Sequence, residues 1–442
     1  MLNRLDLRDL DQTTDLAAVL PRPDIAGDEP RATVREIIAE VRERGDKALR
    51  QLTARFDGVE LDSLEVPDGV LDAAVASLSP ELREAMEAAA EGIETFHRHQ
   101  VRAPERIERE GMTIVASQRP VRRAGLYVPG GRAEYPSTVL MTAVPARVAG
   151  VGEIVLCVPP SAEHGGIVPS VLAAARLAGV DRVFAVGGAQ AIAAMAYGTE
   201  SVPAVDVIAG PGNVYVALAK QEVAGDVGIA AAFAGPSEVV VVADDTVPAR
   251  YAAIDVILQA EHGPDGLAWL VTWDEAVADA VCQAGEELLA ESPRAGDVRA
   301  TLSDGGYAAL VSGPEQALAV VDAIAPEHLE LQCRDAAELA QRVENAGAIF
   351  CGNWSPASVG DYVAGPSHVL PTFGSARFAS ALTVADFVKD HHVVTVEPDG
   401  LARLGPHVVA LANQEGLSAH ARSVELRLAE LAADPAAGGA GR

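Results

Sequence analysis

A chain of 442 residues exceeds what a single hydrophobic core organises, so more than one module is expected. Its 49% hydrophobic and 22% charged residues are those of a globular protein, and no run reaches the about 18 uninterrupted apolar residues of a membrane span. A net charge of −29 repels phosphate backbones and argues against nucleic acid as a partner.

In chain order, the amino terminus MLNRLDLRDLDQTTDL is broken by charges and has no apolar h-region, so a cytoplasmic location is the expectation. Residues 31–56, RATVREIIAEVRERGDKALRQLTARF, space their apolar residues as an amphipathic helix, with Gly45 as a break. Residues 70–100 repeat the pattern, and Ser79-Pro80 reads as a helix start. Near residue 113 the texture changes to short strands. VGEIVLCVP (151–159), DRVFAVGG (181–188) and VDVIAGPG (205–212) are strands, alternating with helices at 169–180, 189–198 and 213–225. A second series puts strands at 237–244, 267–274, 308–313 and 346–352, with helices at 247–263, up to about 291, and 314–326. Such alternation predicts βαβ units and two parallel-sheet modules. HHVVTVEP (391–398) reads as a strand, 407–434 as one final helix, and ADPAAGGAGR as a disordered tail.

The α/β texture points to a nucleotide site at strand carboxyl ends. There is no GxGxxG. Gly187-Gly188-Ala189-Gln190 and Gly210-Pro211-Gly212-Asn213 stand at strand-to-helix turns, where backbone N–H groups can meet an anion or simply turn the chain. Gln259 and His262 share a helix face at i and i+3, as metal donors or as a capped helix end with a solvated imidazole. Glu327-His328 pairs two groups of different intrinsic pKa, suited to acid–base work, but Pro326 before them also suits a surface helix start. Residues 355–377 hold Asp361 and His368 in a glycine-rich segment, and Glu415 and His420 come late. His391-His392 lies in a strand, where neighbours face opposite sides, so it is no metal pair. Cys157, Cys282, Cys333 and Cys351 form no CxxC and read as reduced, mostly structural thiols.

GLYVPGG (125–131), AVGGAQAIAAMAYG (185–198), AGPGNVYV (209–216), AGPSEVVVVAD (234–244), LQAEHGPD (258–265), APEHLEL (325–331), GDYVAGPSHVLPT (360–372) and EGLSAH (415–420) occur in the order in which histidinol dehydrogenases carry them. From about residue 25 to 425 the chain resembles that family. The resemblance implies oxidation of L-histidinol through the aldehyde to L-histidine with two NAD, in the last steps of histidine biosynthesis. It implies zinc held by Gln259, His262 and Asp361 with His420 of the partner subunit in a homodimer, these ligands also lining the substrate pocket. Substrate contacts carry over to Ser237, His328, His368 and Glu415, and NAD contacts to Tyr127, Gln190 and Asn213. On this reading His328 takes the hydroxyl proton, Glu327 activates water on the aldehyde, and zinc orients the substrate rather than making hydroxide.

The fold expected is α/β: two incomplete Rossmann-like parallel-sheet modules, a helical amino-terminal region and a carboxy-terminal dimerisation arm. The boundaries expected are 1–25 as an arm, 26–126 with 236–382 as the module bearing metal and catalytic residues, 127–235 as the NAD module, and 383–442 as the dimerisation arm. Ala230-Ala231, Ala357 and His391-His392 depart from the family's usual residues, which keeps open a relative acting on another polar alcohol such as a sulfonated diol. A zinc hydrolase would have no use for the glycine turns or NAD, and a structural zinc would expect local Cys/His clusters.

Overall fold

The structure is a computed structural model; it describes residues 1–11, 13–22, 28–131, 133–230, 237–261, 263 and 266–433. His262, Ala231 and nearly all of the tail lie outside the described residues. In chain order the strands are β1 (Asn3–Asp6), β2 (Glu105–Arg109), β3 (Met112–Pro120), β4 (Arg123–Tyr127), β5 (Glu153–Val158), β6 (Arg182–Ala185), β7 (Val207–Ala209), β8 (Gly228–Ile229), β9 (Glu238–Ala243), β10 (Leu267–Thr272), β11 (Gly306–Leu310), β12 (His328–Gln332), β13 (Ala348–Cys351) and β14 (Val388–Val396).

The chain divides into two units: Met1–Gln100 with Val121–Phe387, and Val101–Pro120 with Val388–Arg442. The larger unit contains two parallel sheets. One has five strands in the order β6-β5-β4-β7-β8, the other six in the order β1-β11-β10-β9-β12-β13. Parallel strands covered on both faces must be apolar throughout, and β9 (EVVVVA) and β10 (LAWLVT) are buried at every position. Helices cover both faces of each sheet. Over the five-stranded sheet, Pro136–Val148 and Pro169–Ala178 close one core, and Asp28–Arg44, Asp46–Phe56, Gly188–Tyr197 and Val214–Val223 the other. Over the six-stranded sheet, Ala249–Ala260, Glu275–Glu291 and Ala295–Gly305 pack on one face and Pro314–Ile324 and Ala336–Ala340 on the other.

Local chemistry sets the breaks. Gly45 adopts φ 53° between the first two long helices, and the Ser79 side chain caps the next one by accepting from Leu82 N–H. Two expectations fail. The final segment is two helices, Pro398–Gln414 and Ser418–Ala433, because Gly416 at φ 74° turns the chain where a side chain would be strained. Residues 328–332 are a buried strand, not a surface helix start; the alternation in HLELQ outweighs the preceding proline. The pattern also passed over β1, which joins β11 in parallel as the sheet's edge.

The smaller unit is an antiparallel sheet, β14-β3-β2, with the two carboxy-terminal helices as a hairpin. His391 and His392 stand opposite Ser117 and Ala116, both exposed, on alternate faces. Among the described residues no helix is long and apolar enough to cross a membrane.

Candidate active site

Three acids and an imidazole meet at the amino ends of β9 and β12. Glu238 opens β9 and His328 opens β12, two adjacent strands, with His328 in register with Val239. The Glu327 carboxylate accepts from Glu238 N–H at 3.0 Å, and the Glu238 carboxylate accepts from Phe373 N–H at 3.1 Å. His328 Nδ1 lies 3.8 Å from Glu327 Oε2, and Nε2 lies 3.3 Å from Asp361 Oδ1. Neither ring nitrogen makes a well-aligned hydrogen bond, although both are buried. Phe350, on β13, stacks against the ring with centroids 6.1 Å apart. The short helix Ala357–Tyr362 brings Asp361 to this point. His368 completes the chain: its Nδ1 meets the Asp361 carbonyl at 2.9 Å and its Nε2 meets Thr138 Oγ1 at 3.1 Å.

Burial and mutual repulsion set the protonation. Burial pushes Glu327 up to about 7 against the pull of His328, and burial together with Glu327 pushes Glu238 up to about 8. Burial alone would lower His328, but the carboxylates of Glu327 and then Asp361 outweigh it and raise the imidazole to about 9. A cation on Asp361 would cancel one of the carboxylates that raise it.

Gln259 is next to last in the helix Ala249–Ala260, 1% exposed, and its Nε2 has no hydrogen-bond partner among the described residues. A buried amide without a partner is costly unless something else satisfies the group. Its amide and the Asp361 carboxylate are hard donors of the kind zinc accepts. Among the described residues no three of His, Cys, Asp or Glu lie close enough to hold a metal ion by themselves. Ser237 is half-buried just before Glu238, and its carbonyl accepts from Leu267 N–H at 3.0 Å.

A second group stands at the carboxyl ends of the five-stranded sheet. Tyr127 ends β4, is buried, and its hydroxyl accepts from Gly188 N–H at 3.1 Å. Gln190 is buried in the first turn of the helix that Gly188 opens. Asn213 caps the next helix, accepting from Tyr215 and Val216 N–H at 3.1 and 3.2 Å. Gly210, at φ 108°, lies so close to the Tyr127 carbonyl that an added Cβ would stand 2.0 Å from it. The fully buried Lys220 ammonium donates to the Gly210 carbonyl, and burial lowers it to about 8. Glu415 and His420 lie in the smaller unit, both exposed, on either side of the Gly416 turn.

The histidinol dehydrogenase family profile matches residues 20–428. A histidinol dehydrogenase of Syntrophotalea carbinolica is 46% identical over 97% of this chain and 99% of its own, and that of Rhizobium meliloti 47% identical over the same shares. The crystal structure of histidinol dehydrogenase from Elizabethkingia anophelis superposes with a TM-score of 0.92 at 35% identity, covering 97% of this chain and 98% of that one. The chain belongs to the histidinol dehydrogenase family.

Histidinol dehydrogenases are NAD-dependent oxidoreductases, and the resemblance read from eight motifs is the right one. The motifs of this family fall on two strand edges: LYV, GGAQ and GPGN at carboxyl ends, SEV and EHLEL at amino ends. Sequence reasoning missed Glu238, whose carboxyl braces the Phe373 backbone behind Glu327, and Phe350, which stacks on the imidazole. An acid heading a run of four valines was the available signal for the first.

Proposed function

We propose that this chain oxidises L-histidinol through the aldehyde to L-histidine with two NAD, the final steps of histidine biosynthesis. The observation that carries this is the buried His328 imidazole, 3.3 Å from Asp361 and 3.8 Å from Glu327, at one strand start. His328 accepts the hydroxyl proton in the first oxidation. Glu327, raised to about 7, can hold or release a proton near neutrality, and it takes one from the water that adds to the aldehyde. His368, fixed on Thr138 and the Asp361 carbonyl, presents its ring edge to the substrate, with Ser237 and Glu415 as further contacts. NAD, when bound at Tyr127, Gln190 and Asn213, supplies the hydride acceptor.

Gln259, His262 and Asp361, with His420 of the partner subunit, would hold zinc, which supplies a Lewis-acidic template orienting the substrate imidazole and amine. The buried Gln259 side chain, whose amide oxygen could face a metal, and the Asp361 carboxylate beside His328 favour this reading. A homodimer is favoured by the smaller unit's own surface, where Val393, Val394, Leu411 and Leu426 are exposed. On this reading residues 383–442 are the dimerisation arm, 127–235 carry the NAD contacts and 236–382 the metal and catalytic residues, in a cytoplasmic enzyme with no nucleic-acid or membrane partner.

The test is NADH formation with histidinol, before and after chelation, with a sulfonated diol as competitor substrate. Two NADH per histidinol, lost on chelation and restored by zinc, is expected. NADH from the diol and none from histidinol would overturn the substrate.

A further inference from the structure

The polar row on β12 does not end at His328. A strand has a period of two, so His328, Glu330 and Gln332 share one face while Leu329 and Leu331 enter the opposite core. The neighbouring strand places Val239, Val241 and Ala243 in register with those three residues, and all are packed under the Ala249–Ala260 helix. The fold therefore accepts valine at this depth. Glu330 is 0% exposed, Gln332 2% and Asp255 6%. Three polar groups in a valine layer are not what packing alone selects.

Their bonds run to the two helices that carry the candidate metal donors. Glu330 Oε1 accepts from Ala357 N–H at 2.9 Å, and Ala357 is the first residue of the helix that ends beside Asp361. Gln332 Nε2 donates to Glu330 Oε2 at 2.7 Å and to Asp255 Oδ2 at 2.5 Å. The Asp255 and Glu330 carboxyls thus meet on one amide, Gln332 Nε2. Burial and the neighbouring Asp255 carboxyl push Glu330 up, and burial pushes Asp255 up. Asp255 stands one helical turn before Gln259, on the same face of the same helix.

We propose that Glu330, with Asp255 and Gln332, is a positioning residue: it fixes the helix carrying Asp361 and the helix carrying Gln259 to the strand carrying His328, so that donors and base keep one mutual geometry. Ala357 is the natural point of attachment. Its N–H is one of the free donors at a helix start, Pro356 before it has no side-chain acceptor, and the Glu330 carboxyl supplies one from across the layer. This role rests on the zinc-dependent reading given above.

The test compares the parent, Glu330→Gln and the double variant Asp255→Leu/Glu330→Leu. In Glu330→Gln the amide oxygen still accepts from Ala357 N–H, and Gln332 can turn its unpartnered Oε1 toward the new NH2, so zinc affinity and kcat should stay within about threefold of the parent. The double variant removes both carboxyls together and leaves no lone buried charge, but Gln332 Nε2 and Ala357 N–H lose their acceptors, so its thermal midpoint should drop modestly without loss of the fold. Its zinc affinity, read by competition with a chromophoric chelator, should fall about 10- to 100-fold, and kcat with it. The KM for NAD should not move, because the residues assigned to NAD lie on the other sheet. The visible absorption of the cobalt-substituted protein should shift in the double variant and not in Glu330→Gln.

A double variant with the parent's zinc affinity and kcat overturns the proposal. So does one whose thermal midpoint and zinc affinity collapse while its NAD KM rises, or whose defect Glu330→Gln shares in full, since either marks a packing role. A parent that oxidises histidinol without any metal sinks the zinc reading itself, and this role with it.

Discussion

The two parallel sheets of the larger unit put their chemistry on opposite edges. The five-stranded sheet uses the carboxyl ends of its strands, where Tyr127, Gly188 and Asn213 stand at helix starts. The six-stranded sheet uses the amino ends, where Glu238 and His328 begin their strands and Gln259 is next to last in a helix. Helix starts present free N–H groups and the positive end of the dipole, while helix ends present carbonyls and the negative end. On the proposed function, one edge would take a dinucleotide's phosphates and the other a cation. Parallel α/β proteins commonly place ligands at carboxyl ends. The residues assigned to NAD follow that pattern on one sheet, and the acid–imidazole cluster stands at the amino ends of the other.

If the edges divide the work, a change on one should leave the other's readout in place. The largest effect is expected from His328→Asn. The amide keeps a polar group beside Asp361 but cannot take a proton, so kcat should fall about 10²- to 10⁴-fold, with the KM for NAD unchanged. Stopped-flow NADH formation and NAD titration measure the two separately. A kcat within a few-fold of the parent would remove His328 as the base.

Gly210→Ala probes the opposite edge. Its Cβ would meet the Tyr127 carbonyl, and φ 108° strains any side chain, at a cost of about 1–3 kcal/mol. The turn that leads to Asn213 must shift, so the KM for NAD should rise about tenfold while kcat at saturating NAD holds, an effect smaller than that at His328. A variant with raised kcat loss and unchanged NAD KM would mean the edges are not separate in function.

The alternation of apolar strands and helices was legible because parallel sheets write long apolar runs, and the motif order carried the family. The site itself was only partly legible. Spacing ties Gln259 to His262 and Glu327 to His328, but nothing local says that Asp361 returns to His328, because a helix of six residues brings it back along β12. The strand at 328–332 was obscured by Pro326, which suits a helix start equally well. Glu330 was hidden for a related reason: an acid between two leucines reads as a surface position until the helices over that face are known. Glu415 and His420 were carried by motif alone, and they lie in the other unit.

Glu238 gives the smallest effect and the most direct reading of how dry the amino-end edge is. Its carboxyl is raised from 4.5 to about 8 by burial and by Glu327. In the unfolded chain it releases its proton near 4.5; in the folded protein it keeps it until about 8. Between those values the unfolded state binds fewer protons, so stability must decline as pH rises, and the decline stops once the folded group has also ionised. Glu238→Gln removes this contribution while its amide oxygen can still accept from Phe373 N–H. Urea midpoints between pH 5 and 8, a window set by those two values, should therefore fall less steeply in the variant than in the parent. Equal slopes would mean that Glu238 is ionised throughout, and that this edge is wetter than its burial implies.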